Sequence, residues 1–152
     1  RLVFGGRGGD LANAFRDALA ASPAAHAVSW IDDPVEAELP ALVAGSTALI
    51  HMSAGELSPI TPLEALTFGA AVVASDLPAF REVLATTPGA FLMPSDAPDD
   101  PAELARTMQD AIESGVDQSA REQRIIQAQK YTWRANAEET LALWRALTPP
   151  RS

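Results

Sequence analysis

Residues 55–64 read GELSPITPLE, with Glu56 and Glu64 separated by seven residues that include two prolines, a serine and a threonine. An ionised carboxylate is an acceptor that can take two hydroxyl donors, so a pair of them around one cleft suits a sugar or a ribose. A helix N-terminus beside the pair would favour a phosphate. Glu64 also has a purely structural account: Thr61-Pro62-Leu63-Glu64 matches a capping box, with Thr61 as N-cap, Pro62 at the first helical position and Glu64 at the third. Glu56 has no such account, because it lies in a loop between Gly55 and Leu57-Ser58-Pro59.

The other residues able to do chemistry are few. The glycine loop at residues 5–9 (GGRGG) could cradle a phosphate, or it could be a tight turn lining a cleft, since it matches neither G-x-G-x-x-G nor a Walker A pattern. His51 ends an apolar run, where an imidazole could donate or accept a hydrogen bond; a lone histidine is more often structural. His26 is assigned no role. Asp32-Asp33 could bind a hard cation, but Pro34 directly after them favours a helix start. With His26 and His51 the only histidines and no cysteine, neither a transition-metal site nor thiolate chemistry is expected, and no G-x-S-x-G elbow is present.

These residues need elements to position them. Short apolar runs at residues 2–4, 27–31, 47–51, 71–74 and 90–93 read as strands, and the one at 47–51 shows no period-2 polar face, as expected of a strand covered on both sides. Helices are expected over residues 11–21 behind Asp10, 35–43, 62–67 with Gly69 as the stop, and from Ser75-Asp76-Leu77-Pro78 to about Leu84. From residue 99 the strands cease. Residues 101–114, 119–131 and 133–147 read as helices, with Asp100-Pro101 and Thr132 as starts and Pro149-Pro150 as the final stop. The alternation implies an α/β fold: a doubly wound, Rossmann-like parallel sheet flanked by helices, with extra C-terminal helices. In that class ligands bind outside the carboxyl ends of the strands, here the 5–9 loop, Asp32-Asp33, residues 52–59, Ser75-Asp76 and Pro94-Ser95-Asp96.

Composition narrows the partners. The chain has 152 residues, 47% hydrophobic and 20% charged, enough for one domain with a core. Twenty acidic residues against 11 basic ones give a formal charge of −9, with no Lys or Arg cluster, which argues against a nucleic-acid partner. No apolar stretch approaches the ~20 residues of a membrane helix. The chain opens on an apolar run, without an initiating Met or a signal-peptide layout, and is expected to be a piece of a longer protein.

The order of motifs resembles the C-terminal, donor-binding domain of a retaining glycosyltransferase of the two-Rossmann-domain (GT-B) type, most like glycosyltransferase family 4. That family carries an E-x7-E element, an alanine-rich helix, a glycine and a strand of the type PVVAS; here Glu56 and Glu64 hold the spacing and EALTFGAAVVASDLPAFREV follows. VEAELPALVAGSTALIHMS before it, GAFLMPSDAPDDPAELARTMQDAI after it and YTWRANAEETLALWRAL at the end are similar to the family too. The resemblance covers essentially the whole chain, residues 1–152, as one nucleotide-sugar-binding domain. It departs from the family at Leu57-Ser58-Pro59, where Gly-Phe-Gly is usual, and in lacking the first strand and helix with a basic pair, which would precede Arg1.

The resemblance implies transfer of a sugar from a UDP-, GDP- or ADP-sugar with retention and without an obligatory metal or other cofactor. Glu56 would be the catalytic-site carboxylate on the donor sugar's hydroxyls and Glu64 would take the ribose. Leu57, Ser58 and Ile60 would lie along the sugar and diphosphate, His51 beside them, and Gly5 and Gly6 near the nucleotide, with Arg7 available to the diphosphate. The acceptor, a glycan, lipid or small molecule, would be held by an N-terminal domain outside this chain, so the chain alone is expected to turn over little or not at all. A cytoplasmic location, at the membrane's inner face through the rest of the protein, goes with the family. Two alternatives stay open: a degenerate, non-catalytic relative serving as a structural or partner-binding module, and a flavodoxin-like or receiver-type binding domain.

Overall fold

In the computed structural model, which describes residues 1–94 and 100–148, one strand organises most of the chain. β4, Ala71–Ser75, is buried at every position. Side chains alternate across a strand, so Val72 and Ala74 point to one face and Ala71 and Val73 to the other. Val72 and Ala74 join Leu66, Phe80, Leu84 and Ala128 in one apolar cluster. Ala71 and Val73 join Met93 and Ala111 in a second. Burial on both faces explains why this run carries no polar alternation.

The chain groups into two compact units, Arg1–Leu42 and Val43–Ser152. In the second, β4 lies between β3 (Ala48–His51) and β5 (Ala90–Met93), all parallel, with Ala48 opposite Ala71 and Val72 opposite Ala90. One face is covered by α3 (Ile60–Thr67), α4 (Pro78–Leu84) and α6 (Gln118–Ala128), the other by α5 (Pro101–Val116); α7 spans Trp133–Leu147. Helices on both faces of a parallel sheet are the doubly wound arrangement the sequence implies. The first unit pairs β1 (Leu2–Gly5) with β2 (Val28–Ile31) in parallel and carries α1 (Ala12–Ala21). There Phe15 of α1 packs edge-on to Phe4 and Trp30 at 4.7 and 5.4 Å, and Arg16 stacks over Trp30.

Local signals set many helix ends. Gly69, at φ +74°, closes α3 in a Schellman arrangement: its N–H donates to Leu66 and that of Ala70 to Ala65. Asp100, Asp117 and Thr132 accept backbone N–H bonds at the starts of α5, α6 and α7. Ser95, Asp96 and Pro149-Pro150 lie outside the described residues.

Three expectations are corrected. Asp10 does not cap α1, whose N-cap position is Leu11 with no side-chain bond. Asp32-Asp33-Pro34 does not start a helix: Asp33 has φ +51°, a 3-10 turn follows at Glu36–Glu38, and α2 begins only at Leu39, running Leu39–Ala44. The capping box at Thr61 does not form either, because α3 starts earlier, with Pro59 as N-cap and no side-chain cap bond. Pro62 permits this, since its missing N–H falls in the first turn, where no intrahelical acceptor exists.

One buried cation ties the elements of the second unit together. Arg124 of α6 is fully buried. Its guanidinium donates to the carbonyl of Gly69 at 2.8 Å, of Pro88 at 3.3 Å and of Ser114 at 3.1 Å, and to Ser114 Oγ at 3.2 Å. Burial pushes its pKa down from the ordinary arginine value, helped by Arg121 and opposed by Asp117. Arg124→Ala leaves the buried Gly69 carbonyl and the part-buried Pro88 carbonyl without this donor, while the Ser114 carbonyl keeps the Asp117 N–H; at roughly 1–3 kcal/mol for a buried unsatisfied group, the expected loss is about 2 kcal/mol or more in urea unfolding. A loss below about 1 kcal/mol would show that the fork holds nothing.

Candidate functional site

Because β3, β4 and β5 are parallel, their carboxyl ends share one edge, and the chain leaves β3 there through the loop that carries Glu56. This loop is held from below. Ser75, the last residue of β4 and only 2% exposed, accepts the backbone N–H of Ser53 on its Oγ at 2.8 Å. The Ser53 hydroxyl lies 3.2 Å from both the Gly55 carbonyl and Glu56 Oε1, and takes the Gly55 N–H at 3.4 Å. His51 Nε2 lies 3.5 Å from the same Oε1, its ring tilted beside Phe80 at 5.7 Å. Glu56 is thus a partly exposed carboxylate with a defined orientation.

Glu64 occupies a different feature. On α3 the residues Pro62, Ala65 and Leu66 face the core, while Ile60, Leu63, Glu64 and Thr67, spaced as one helical face, line a groove of about 580 Å³. Leu57, Ser58 and Pro59 line it too; its far wall includes Glu82 of α4 and Tyr131, Trp133 and Glu139 at the start of α7. Leu57 is fully exposed, whereas Pro59 is buried. With the capping box absent, Glu64 has no part in its own helix's start and stands exposed in the groove. Neither Glu56 nor His51 lines the groove.

In the first unit, Gly5 ends β1 and Gly6 and Arg7 follow it in a loop held by side chains of β2 and the residues just after it. Trp30 Nε1 donates to the Gly6 carbonyl at 3.0 Å, and the Gly8 N–H donates to Asp32 at 3.0 Å. Arg7 forks onto Asp33 at 3.3 Å, and Arg16 reaches Asp32 at 3.5 Å. Space at Gly8 is tight: a Cβ there would lie 3.1 to 3.2 Å from Ala12 and Trp30, which would have to give by a few tenths of an ångström. The two aspartates therefore brace the loop, which has the character of a pinned turn. Among the described residues no group of three or more His, Asp or Glu could hold a metal, and no helix is long and apolar enough to cross a membrane.

Ser75 lies at a strand end expected on the ligand edge, whereas Ser53 and Trp30 were not singled out by the sequence. Ser53 carried a signal, a hydroxyl three positions before an otherwise unexplained glutamate. Trp30 carried none, since a strand aromatic reads simply as core.

Comparison with known proteins bears on what such a site serves. A family model described as glycosyl transferases group 1 matches residues 1–114. Among solved structures, sucrose-phosphate synthase from Thermosynechococcus elongatus superposes with a TM-score of 0.75 at 17% identity, over 96% of this chain and 38% of its own. WaaG, a glycosyltransferase involved in lipopolysaccharide biosynthesis, superposes with a TM-score of 0.62 at 16% identity, over 92% of this chain and 46% of its own. The chain thus spans less than half the length of either. A comparison with curated proteins gives no match.

One ion pair at the same edge has a pH signature. Asp76 follows Ser75, and the Arg81 guanidinium forks onto its carboxylate, with Nη2 2.7 Å from Oδ2. The Arg81 hydrogen bond, more than its charge alone, holds the Asp76 carboxyl below its ordinary value, against an opposing effect of burial. A lowered folded pKa stabilises above the unfolded value, and that stabilisation is lost as pH falls through the folded one. The melting-midpoint gap between wild type and Asp76→Asn is therefore expected to be constant above about pH 5 and to close below about pH 4. A gap that widens on acidification would contradict the pair.

Proposed function

The chain belongs to the glycosyl transferases group 1 family, and from that membership we propose that it is the donor-binding part of a retaining glycosyltransferase, moving a sugar from a nucleotide-sugar to an acceptor. The observation that carries this reading is Glu56, a carboxylate at the carboxyl edge of a parallel sheet whose two polar neighbours both meet Oε1. Among the described residues no hydrogen bond engages Oε2, which can accept hydroxyls from a sugar ring. Glu64 supports the reading from the groove, where an acceptor oxygen free of capping duties can take ribose hydroxyls.

Around these carboxylates, Leu57, Ser58 and Ile60 are proposed to lie along the sugar and diphosphate, and His51 to act on the donor through Glu56. Assigning Gly5, Gly6 and Arg7 to the nucleotide is carried by the family alone. No metal or other cofactor is proposed. The glycan, lipid or small-molecule acceptor would be bound by the rest of the protein, and a cytoplasmic location, reaching the membrane face through that part, completes the proposal.

A second reading, a relative that no longer binds a nucleotide and serves as a structural or partner-binding module, is favoured by specific observations. Pro59 has no N–H to offer a diphosphate. The Gly8 N–H and the Arg7 guanidinium already have aspartate partners.

Calorimetric titration of the full-length protein with UDP-, GDP- and ADP-glucose separates the two. Binding of at least one is expected, and Glu56→Ala or Glu64→Ala should each weaken it by about 1.5–3 kcal/mol, roughly 10- to 150-fold. No binding by any of the three, or affinities unchanged in both variants, would overturn the donor-site reading.

A further inference from the structure

A glutamate on a loop has three rotatable side-chain bonds, and binding a sugar through it is efficient only if the carboxylate is already aimed. At this edge the aim is traceable bond by bond. β4 is buried along its whole length and ends at Ser75, itself buried. Ser75 Oγ takes the Ser53 N–H at 2.8 Å, which fixes the loop's backbone to the strand. The Ser53 side chain then acts twice. Its oxygen takes the Gly55 N–H at 3.4 Å, and its single proton is offered at 3.2 Å to the Gly55 carbonyl and to Glu56 Oε1. The carboxylate is the stronger acceptor of the two because it is charged. His51 Nε2 comes within 3.5 Å of the same oxygen from β3, and among the described residues the hydrogen bond to this carboxylate goes to Oε1, which leaves Oε2 for a ligand.

We propose that Ser53 is a positioning residue for Glu56: anchored through Ser75 to the buried strand, it holds Oε1 and thereby directs Oε2 toward the donor sugar. This rests on the donor-site reading of Glu56. It deepens that reading by assigning a task to a residue that need not touch the ligand, and it makes the effect specific to the sugar rather than to the nucleotide.

The test compares wild type with Ser53→Ala, Ser53→Thr, Ser75→Ala and Glu56→Ala in the full-length protein. It measures affinity for UDP-, GDP- and ADP-glucose and for UDP, GDP and ADP, together with melting midpoints. Ser53→Ala is expected to weaken the nucleotide-sugar about tenfold, the loss of one hydrogen bond to a charged group, while leaving the nucleoside diphosphate unchanged. Ser53→Thr, which keeps the hydroxyl, should restore the sugar increment, and Ser75→Ala should reproduce the sugar-selective loss. The inference is overturned if Ser53→Ala binds the nucleotide-sugar as wild type does, or if it loses sugar and diphosphate by the same factor, as a merely structural role would require. A failure of the donor-site reading looks different: wild type binds no nucleotide-sugar, or Glu56→Ala binds as tightly as wild type.

Discussion

A buried guanidinium whose hydrogen bonds run to carbonyls is the constraint on which the second unit rests. Among the described residues Arg124 donates to carbonyl oxygens and a hydroxyl, supplied by the turn after α3, the turn before β5 and the end of α5. A charge in that position cannot be left half-solvated, so all three turns must arrive together. Glycines make room for it. Gly69 and Gly89 adopt positive φ, and a Cβ at either would strike Arg121 or Arg124, while one at Gly115 would strike the Thr47 carbonyl just before β3. The register of α3, α5 and α6 against β3 and β4 is therefore set by polar geometry, while apolar burial supplies the driving force.

That register fixes the carboxyl edge of the sheet and, with it, the site. His51, Ser75 and Asp76 are strand-end residues whose positions follow from pairings such as Ile50 with Val73 and Ala74 with Leu92. The loop after β3 borrows its order from Ser75, and α3 turns Glu64 outward because Pro62, Ala65 and Leu66 are claimed by the core. Glu56 is held by a near neighbour, Ser53, that is itself anchored on β4, and Glu64 is turned outward by the core side of its helix. Their seven-residue spacing reads as the distance from the loop after β3 to the outward face of the next helix.

What could be read from the chain beforehand divides along the same line. The five strands, the Gly69 stop and the Asp100 and Thr132 caps rest on signals a few residues long, and the structure has them where those signals lie. Asp32 and Asp33 looked like a helix start because the residues they brace are 24 and 26 positions away. Arg124 gave no local signal within the helix expected over 119–131, since its carbonyl partners lie 55, 36 and 10 positions back. At Thr61 the local signal was present and lost. The helix starts two residues earlier than the capping box would allow, an arrangement in which Pro59 is buried and Pro62 faces the core.

The buried Pro59 at the mouth of the site has a kinetic side. Its ring restricts φ, its carbonyl takes the Leu63 N–H, and the chain from Gly55 to α3 is only a few residues long. A loop that samples few shapes before a ligand arrives has little ordering left to do, and ordering costs about 1–2 kcal/mol for each residue it fixes. On the proposed donor-site reading such a loop would not need to fold over what it binds. It would exchange ligands as a preformed surface, where differences between one ligand and another are written in how fast each departs rather than in how fast each arrives.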